Sequence, residues 1–237
     1  FPMKARISGF PGIKRESIFH ALNQKATARQ YAASVGKKYE DMNLIVAHLG
    51  GGISIGAHQK GKVIDVNNAL NGEGPISPER AGTIPAEALV NLCFSGKYDI
   101  RQIKKMIHGK GGLTGYLGTN DMITIESKAE AGEEPYRTLF EAMLYTISKQ
   151  IGAMYVAMMG KVDAIILTGG MAHGDYCVAG IKEQVEYLAP VEVIPGENEM
   201  KSLAYNALGA LRGDLPVLTY TGVSCVEEMN LVVNDED

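Results

Sequence analysis

The sequence is poor in the features that mark several protein classes. Cysteine is scarce: Cys93, Cys177 and Cys225 are the only three in 237 residues, odd in number and far apart. Such a set supplies neither a disulfide framework nor a zinc site, and it fits a reducing cytoplasm. No dense Lys/Arg run occurs, and 23 basic residues against 27 acidic ones leave a net charge of −4. Nucleic acid is therefore a poor partner. No apolar stretch approaches the roughly 18 residues that a membrane span needs. Internal repeats and low-complexity segments are absent. The chain opens Phe1-Pro2-Met3-Lys4, with neither an initiator methionine nor a signal peptide, so the expectation is a chain whose N-terminal part lies upstream. The Gly-Lys-Ser/Thr of a strand-to-helix phosphate loop is missing as well.

What is present is ordinary in bulk and specific in places. The 46% hydrophobic content is that of a globular protein, and the length suits one large domain or two small ones with a sizeable core. The organising stretch is 44–66, LIVAHLGGGISIGAHQKGKVIDV. Its apolar runs 44–47, 53–57 and 63–66 predict three short antiparallel strands, parted by Gly50, Gly51 and Gly52 and by a turn at 59–61. Three successive glycines remove every Cβ from one side of the backbone. They form either a cradle of N–H groups for phosphate oxygens or a sheet corner that needs glycine. On the first reading a branched side chain at Gly51 would fill the concavity and resist positive φ.

Around this hairpin, residues 1–16 read as irregular. A helix is predicted from Ser17 to about Ser34, with Ile18, Leu22, Ala26 and Ala33 on its apolar face and Gly36 closing it. Residues 67–82 form a long turn-rich loop of the kind that carries function, with Arg80 its one arginine. Short helices follow at about 85–94 and 100–108, the second capped by Asp99, and then a second glycine-rich loop at 110–121. A long helix runs from Pro135 to Gly160 on the stripe Leu139, Met143, Ile147, Ile151, Met154 and Met158. A buried strand at 162–168 ends in Gly169 and Gly170; a helix at about 178–188, a strand at 191–194 and a helix at about 199–211 complete the pattern. Antiparallel strands followed by alternating helices and strands predict an α/β lobe with a mixed sheet. In such sheets ligands gather beyond the strand ends, which suggests a phosphate at one glycine turn and a nucleoside at the other.

Five segments, SIFHALNQKATAR, AHLGGGISIGAHQKGKVIDVNNALNGEGP, SPERAGTIP, LTGYLGTND and LTGGM, resemble in this order the acetate and butyrate kinase family. Several are closer to its butyrate and branched-chain fatty-acid kinases. The resemblance covers about 17–211. It implies an α/β actin-like, hexokinase-like ATPase fold of the acetokinase type, and the C-terminal lobe of a two-lobe kinase with the N-terminal lobe missing. The corresponding division is 1–40 as interdomain segment and helix, 41–213 as nucleotide-binding lobe and 214–237 as tail. The implied reaction is reversible phosphoryl transfer from ATP to butyrate or a similar short-chain carboxylate, giving an acyl phosphate and ADP, with Mg2+, in a cytoplasmic homo-oligomer that binds neither membrane nor nucleic acid.

The resemblance also assigns roles. His20 and Arg80 would be catalytic: an imidazole at a helix start can donate to the moving phosphoryl group, and a guanidinium fork suits a carboxylate and a phosphoryl oxygen together. Read alone, His20 could instead cap its helix and Arg80 be a solvated loop residue. His48, Gly50, Gly51 and Gly52 would contact phosphates, and Asp121, Gly170, Met171 and Ala172 the rest of the nucleotide; read alone, His48 could be a buried strand residue, Asp121 equally a helix cap, and 170–172 an ordinary strand-end turn. Glu199 would be linked to magnesium, with Glu197 as the alternative, although both also suit a helix N-terminus. Acetate kinases carry Asn where this chain has Gly51, so backbone groups must do more of the binding. The family's other glycine hairpin and catalytic Asp would lie upstream of Phe1. A nucleotide-binding module without phosphotransfer is the competing reading.

Overall fold

The computed structural model describes residues 2–197, 199–215, 217 and 219; most of the predicted tail, and Asn198 between the two candidate metal acids, lie outside them. The apolar run at 44–47 is part of β1 (Asn43–Leu49), which leads through Gly50, Gly51 and Gly52 to β2 (Ile53–Gln59) and β3 (Lys62–Val66). Lys60 and Gly61 turn between β2 and β3 with φ of 47° and 78°, the two-residue hairpin whose twist matches its strands. Before β1 come a one-turn α1 (Met3–Arg6) and α2 (Ala21–Ser34). After β3 come α3 (Ala86–Cys93), α4 (Ile100–Ile107), α5 (Gly112–Leu117), α6 (Met122–Glu130), α7 (Tyr136–Ala157), β4 (Ala164–Gly169), α8 (Asp175–Val185), β5 (Val191–Pro195) and α9 (Glu199–Arg212).

The sheet has the order β3-β2-β1-β4-β5. β1 pairs antiparallel with β2 and parallel with β4, and β4 pairs parallel with β5. This is the mixed sheet expected. β1 and β4 are covered on both faces, which explains their unbroken apolar runs. Ile45, Ala47, Leu49, Ile165 and Leu167 pack with Phe140, Met143, Ile147 and Ile151 of α7. On the opposite face Leu44, Val46, Ala164 and Ile166 pack with Tyr39 and with Ala28 and Ala32 of α2. α2 thus shares a core with the strands beyond residue 40. Each large side chain buried here contributes about 1.5–3 kcal/mol.

Local signals held where they were specific. Asp99 caps α4 in a full capping box with Gln102, and Pro135 starts α7 from its N-cap position. Four expectations are corrected. Residues 1–16 contain α1 and a bridge between Ile7 and Lys14. α2 begins at Ala21, with His20 rather than Ser17 at the N-cap position. Its inward face is Asn23, Gln24, Thr27, Ala28 and Ala32, while Ile18 and Leu22 are exposed, because the sheet surface beneath it is partly polar. The supposed glycine loop at 110–121 contains α5: a Cβ on Gly115 would lie 2.9 Å from the Lys110 carbonyl oxygen, and this close packing overrides glycine's poor helix propensity.

Candidate active site

The β1–β2 and β1–β4 registers place Thr168, His48 and Ser54 side by side across three strands. All three are buried. They share the face of Leu44 and Val46, so they lie under the start of α2. That is why α2 turns amides inward. Asn23 Nδ2 donates to His48 Nδ1 at 2.8 Å and reaches Thr168 Oγ1 at 3.4 Å. The His48 proton must then sit on Nε2, which lies 3.8 Å from Glu197 Oε1. The His20 ring stacks on His48 with centroids 3.7 Å apart and planes 12° from parallel. Burial pushes His48 down to about 3, helped by the neighbouring His20. Burial also lowers His20; Glu199 and Glu197 pull against that shift, and Arg80 adds to it. The pair is neutral at pH 7, two stacked imidazoles that can donate hydrogen bonds without charge.

The long loop is stitched to the glycine hairpin. Ser77 Oγ donates to the Gly51 carbonyl at 2.7 Å, and the Glu79 N–H donates to it at 3.1 Å. Arg80 is held by its own N–H on Ser77 Oγ at 3.0 Å. Its Nη1 donates to the Glu79 carbonyl at 3.2 Å and lies 3.4 Å from Glu79 Oε2. Its Nε is buried and has no partner among the described residues, a costly state for a cationic donor unless a ligand completes it. That nitrogen lies 3.9 Å from where a Gly52 Cβ would stand. Gly50, Gly51 and Gly52 are not among the positive-φ residues, which corrects the backbone argument made for Gly51. Glycine is favoured here by space: added Cβ atoms would lie 3.2 Å from His48 Nε2, 3.3 Å from Glu79 Oε2 and 3.1 Å from the Ala69 carbonyl oxygen, in that order.

The hairpin forms one wall of a cavity of about 750 Å3 whose lining includes Gly50, Gly51, Glu79, Asn120, Gly170, Met171 and Glu197. Both glycine turns meet there, beyond the carboxyl ends of the parallel strands β1 and β4. Gly169 makes the approach possible: its φ is 90°, and a Cβ would strike the Leu49 backbone. Gly170 and Met171 line the cavity, whereas Ala172, next to them, is buried in the core behind the wall. Asp121 is exposed and caps α6, accepting from Thr124 Oγ1 at 2.6 Å and from its N–H at 3.4 Å; these bonds hold its carboxyl below the usual range. Its neighbours Asn120 and Met122 line the wall instead.

Four cavity acids had not been singled out: Glu79, Glu126, Glu130 and Asp175. Glu79 accepts from Asn120 Nδ2 at 2.7 Å, and its place beside Arg80 was the available signal. Glu126 accepts the Cys177 N–H at 2.8 Å, with its carboxyl pushed up by burial; nothing in the sequence marked it. Among the described residues no three His, Cys, Asp or Glu cluster so as to hold a metal. Glu197 and Glu199 remain at the cavity edge and at the start of α9. Such a set fits Mg2+ carried on nucleotide phosphates and touched by one or two carboxylates, not a metal caged by protein.

A five-stranded mixed sheet with helices on both faces and paired glycine turns at one end is the actin-like, hexokinase-like ATPase fold. The chain belongs to the acetokinase family, whose pattern matches residues 8–198. It is 69% identical over 216 residues to a probable butyrate kinase of Phocaeicola vulgatus and 54% identical to one of Bacteroides thetaiotaomicron. In each case the match covers 91% of this chain and 61% of the relative, so the chain spans about three-fifths of their length. In fold it resembles the crystal structure of Porphyromonas gingivalis acetate kinase, with a TM-score of 0.80 at 23% identity over 89% of this chain and 61% of that one.

Proposed function

We propose that this chain supplies the nucleotide-binding and phosphoryl-transfer face of a carboxylate kinase that converts ATP and butyrate, reversibly, to ADP and butyryl phosphate. The observation that carries the reading is the buried Arg80 Nε, without a partner among the described residues, set against the glycine hairpin and within electrostatic reach of His20, which stacks on His48. In phosphoryl transfer, charge spreads over the oxygens of the moving group, and positioned donors and cations supply most of the catalysis. Arg80 would satisfy its free N–H on one of those oxygens. His20, neutral, would donate from Nε2; His48 Nε2–H would hold a phosphate oxygen near Gly50. Gly51 and Gly52 would let the phosphates approach the backbone, and Gly170 with Met171 would border the nucleoside. Ala172 would act from behind this wall, and Asp121 by fixing the start of α6. Glu199 or Glu197 would meet the Mg2+ on the nucleotide, which supplies charge neutralisation.

On this reading the acid pocket and a catalytic Asp belong to the part of the relatives that this chain does not match. The 237-residue chain then binds Mg–ADP without turning over. It works in the cytoplasm as a homo-oligomer; the described residues include no helix long and apolar enough to cross a membrane, and side chains such as Phe94 and Leu211 are left exposed for self-association. Thermal unfolding with ligand tests the site. At about 100 times Kd a ligand adds roughly 2.7 kcal/mol, which for this size raises the Tm by about 5–10 °C. Mg–ADP should do so and butyrate alone should not. No shift with Mg–ADP would remove the nucleotide site and the proposal with it.

A further inference from the structure

A second buried hydrogen-bond chain runs behind His20. Tyr39 OH lies 2.8 Å from His58 Nδ1, and His58 Nε2 lies 2.9 Å from Gln24 Oε1. Gln24 Nε2 donates to the Ser54 carbonyl at 3.0 Å and to Ser54 Oγ at 2.8 Å, and Ser54 Oγ lies 2.9 Å from His20 Nδ1. The direction of each proton follows from the groups around it. The Ser54 carbonyl can only accept, so the Gln24 amide must turn its nitrogen towards it and its oxygen towards His58. His58 therefore donates from Nε2 and accepts from Tyr39. Ser54 Oγ receives the Gln24 N–H and, at 3.4 Å, the His20 backbone N–H; with both lone pairs used, its own proton goes to His20 Nδ1. His20 is left with its proton on Nε2.

We infer that Gln24 and Ser54 are positioning residues that fix His20 as the Nε2–H tautomer. Resting on the reading of His20 as a phosphoryl contact, this keeps its outer nitrogen a donor, as the developing charge requires. Space for the device is built into the sheet: Gly56 sits opposite Val46 on β2, and a Cβ there would overlap the Gln24 amide oxygen. Asn23 fixes His48 in the same tautomer from the adjacent position on α2.

The test is imidazole nitrogen–proton correlation NMR on the 237-residue chain, with His20 assigned by His20→Gln. The wild-type ring should be a single Nε2–H species. Gln24→Glu replaces the amide donor with an acceptor, so Ser54 Oγ turns its proton towards Glu and accepts from His20; the tautomer should invert to Nδ1–H. Ser54→Ala should leave a mixture of both forms, and it serves if Gln24→Glu does not fold. A wild-type ring already mixed or on Nδ1–H, or a folded variant with His20 unchanged, would overturn the inference. These signals need no turnover, so they are read even if the proposed phosphoryl transfer fails. Where transfer is measured, the inverted tautomer should cost about tenfold or more in kcat, with the KM for ATP little changed; full kcat with an inverted tautomer would equally overturn the positioning role.

Discussion

Replacing Arg80 with alanine separates a catalytic arginine from a structural one. The structural account is small. The bond of Nη1 to the Glu79 carboxylate is long, at 3.4 Å, and its partners are partly exposed at 23% and 31%, so the ion pair is worth about 0–1 kcal/mol. Against that, the buried Nε without a partner among the described residues costs about 1–3 kcal/mol in the free protein. Removing the side chain also removes that cost, together with the Nη1 bond to the Glu79 carbonyl, worth about 1 kcal/mol, so the losses and the gain are of similar size. Folding stability should stay within about 1 kcal/mol of wild type. The kinetic account is large: losing a cation that pairs with the transferring group costs on the order of 10³-fold in kcat, or about 4 kcal/mol. Stability is read from the urea midpoint of this chain. Activity is read as hydroxamate-trapped acyl phosphate in a chimaera that joins the chain to the part of the Phocaeicola vulgatus relative it does not match. Near-normal kcat would refute the role. So would destabilisation by 3 kcal/mol or more, which would make Arg80 a scaffold residue whose loss reaches activity through the fold.

Gly51→Val should abolish Mg–ADP binding by calorimetry while the near-ultraviolet spectrum stays native, because the branched side chain would displace Glu79, whose Oε2 is 3.3 Å from the new Cβ; unchanged affinity would return the glycine to a structural role. Gly169→Ala should destabilise by about 2 kcal/mol or more in denaturant, since positive φ and the Leu49 backbone both oppose a Cβ; a loss below about 0.5 kcal/mol would contradict the close approach of the two turns. Acid should act through His48 and His58, both held down to about 3 by burial. Below pH 6.5 the unfolded chain binds protons that the folded chain refuses, so stability is full above 6.5 and falls towards pH 3, by about 1.4 kcal/mol per pH unit for each histidine. His58→Gln should remove about half of that part of the slope, measured by denaturant titration from pH 6.5 to 4; an unchanged slope would mean that His58 is not buried neutral.

The sheet was legible because its strands are apolar runs bounded by glycine or a polar turn, and because capping at Asp99 and Pro135 is local chemistry. The meeting of His20, His48 and Arg80 around the glycine hairpin was legible only through motif resemblance, since 60 residues of chain separate the outer two. Apolar periodicity failed on α2. It marked Ile18, Leu22, Ala26 and Ala33, while the buried face carries Asn23 and Gln24, which pair with Thr168, His48, Ser54 and His58 beneath them. A polar pair that satisfies itself across two elements leaves no hydrophobic signal on either. α5 was hidden for the opposite reason: Gly112 and Gly115 read as a loop, yet only glycine lets the helix lie this close to the backbone of Ser77 and Lys110. Asp121 stood in a motif and proved to cap α6, the reading its own residue type had offered.

Phosphoryl transfer to a short-chain acid is the role proposed for His20 and Arg80. It is tested most directly by trapping butyryl phosphate as its hydroxamate in the chimaera, beside the His20→Ala and Arg80→Ala variants at saturating ATP and butyrate. Acyl hydroxamate is expected from the wild-type chimaera, with a loss on the order of 10³-fold in the Arg80 variant, a clear loss in the His20 variant, and Mg–ADP binding retained in both. A folded, ADP-binding chimaera that forms no acyl phosphate from butyrate or any other short-chain acid would contradict it.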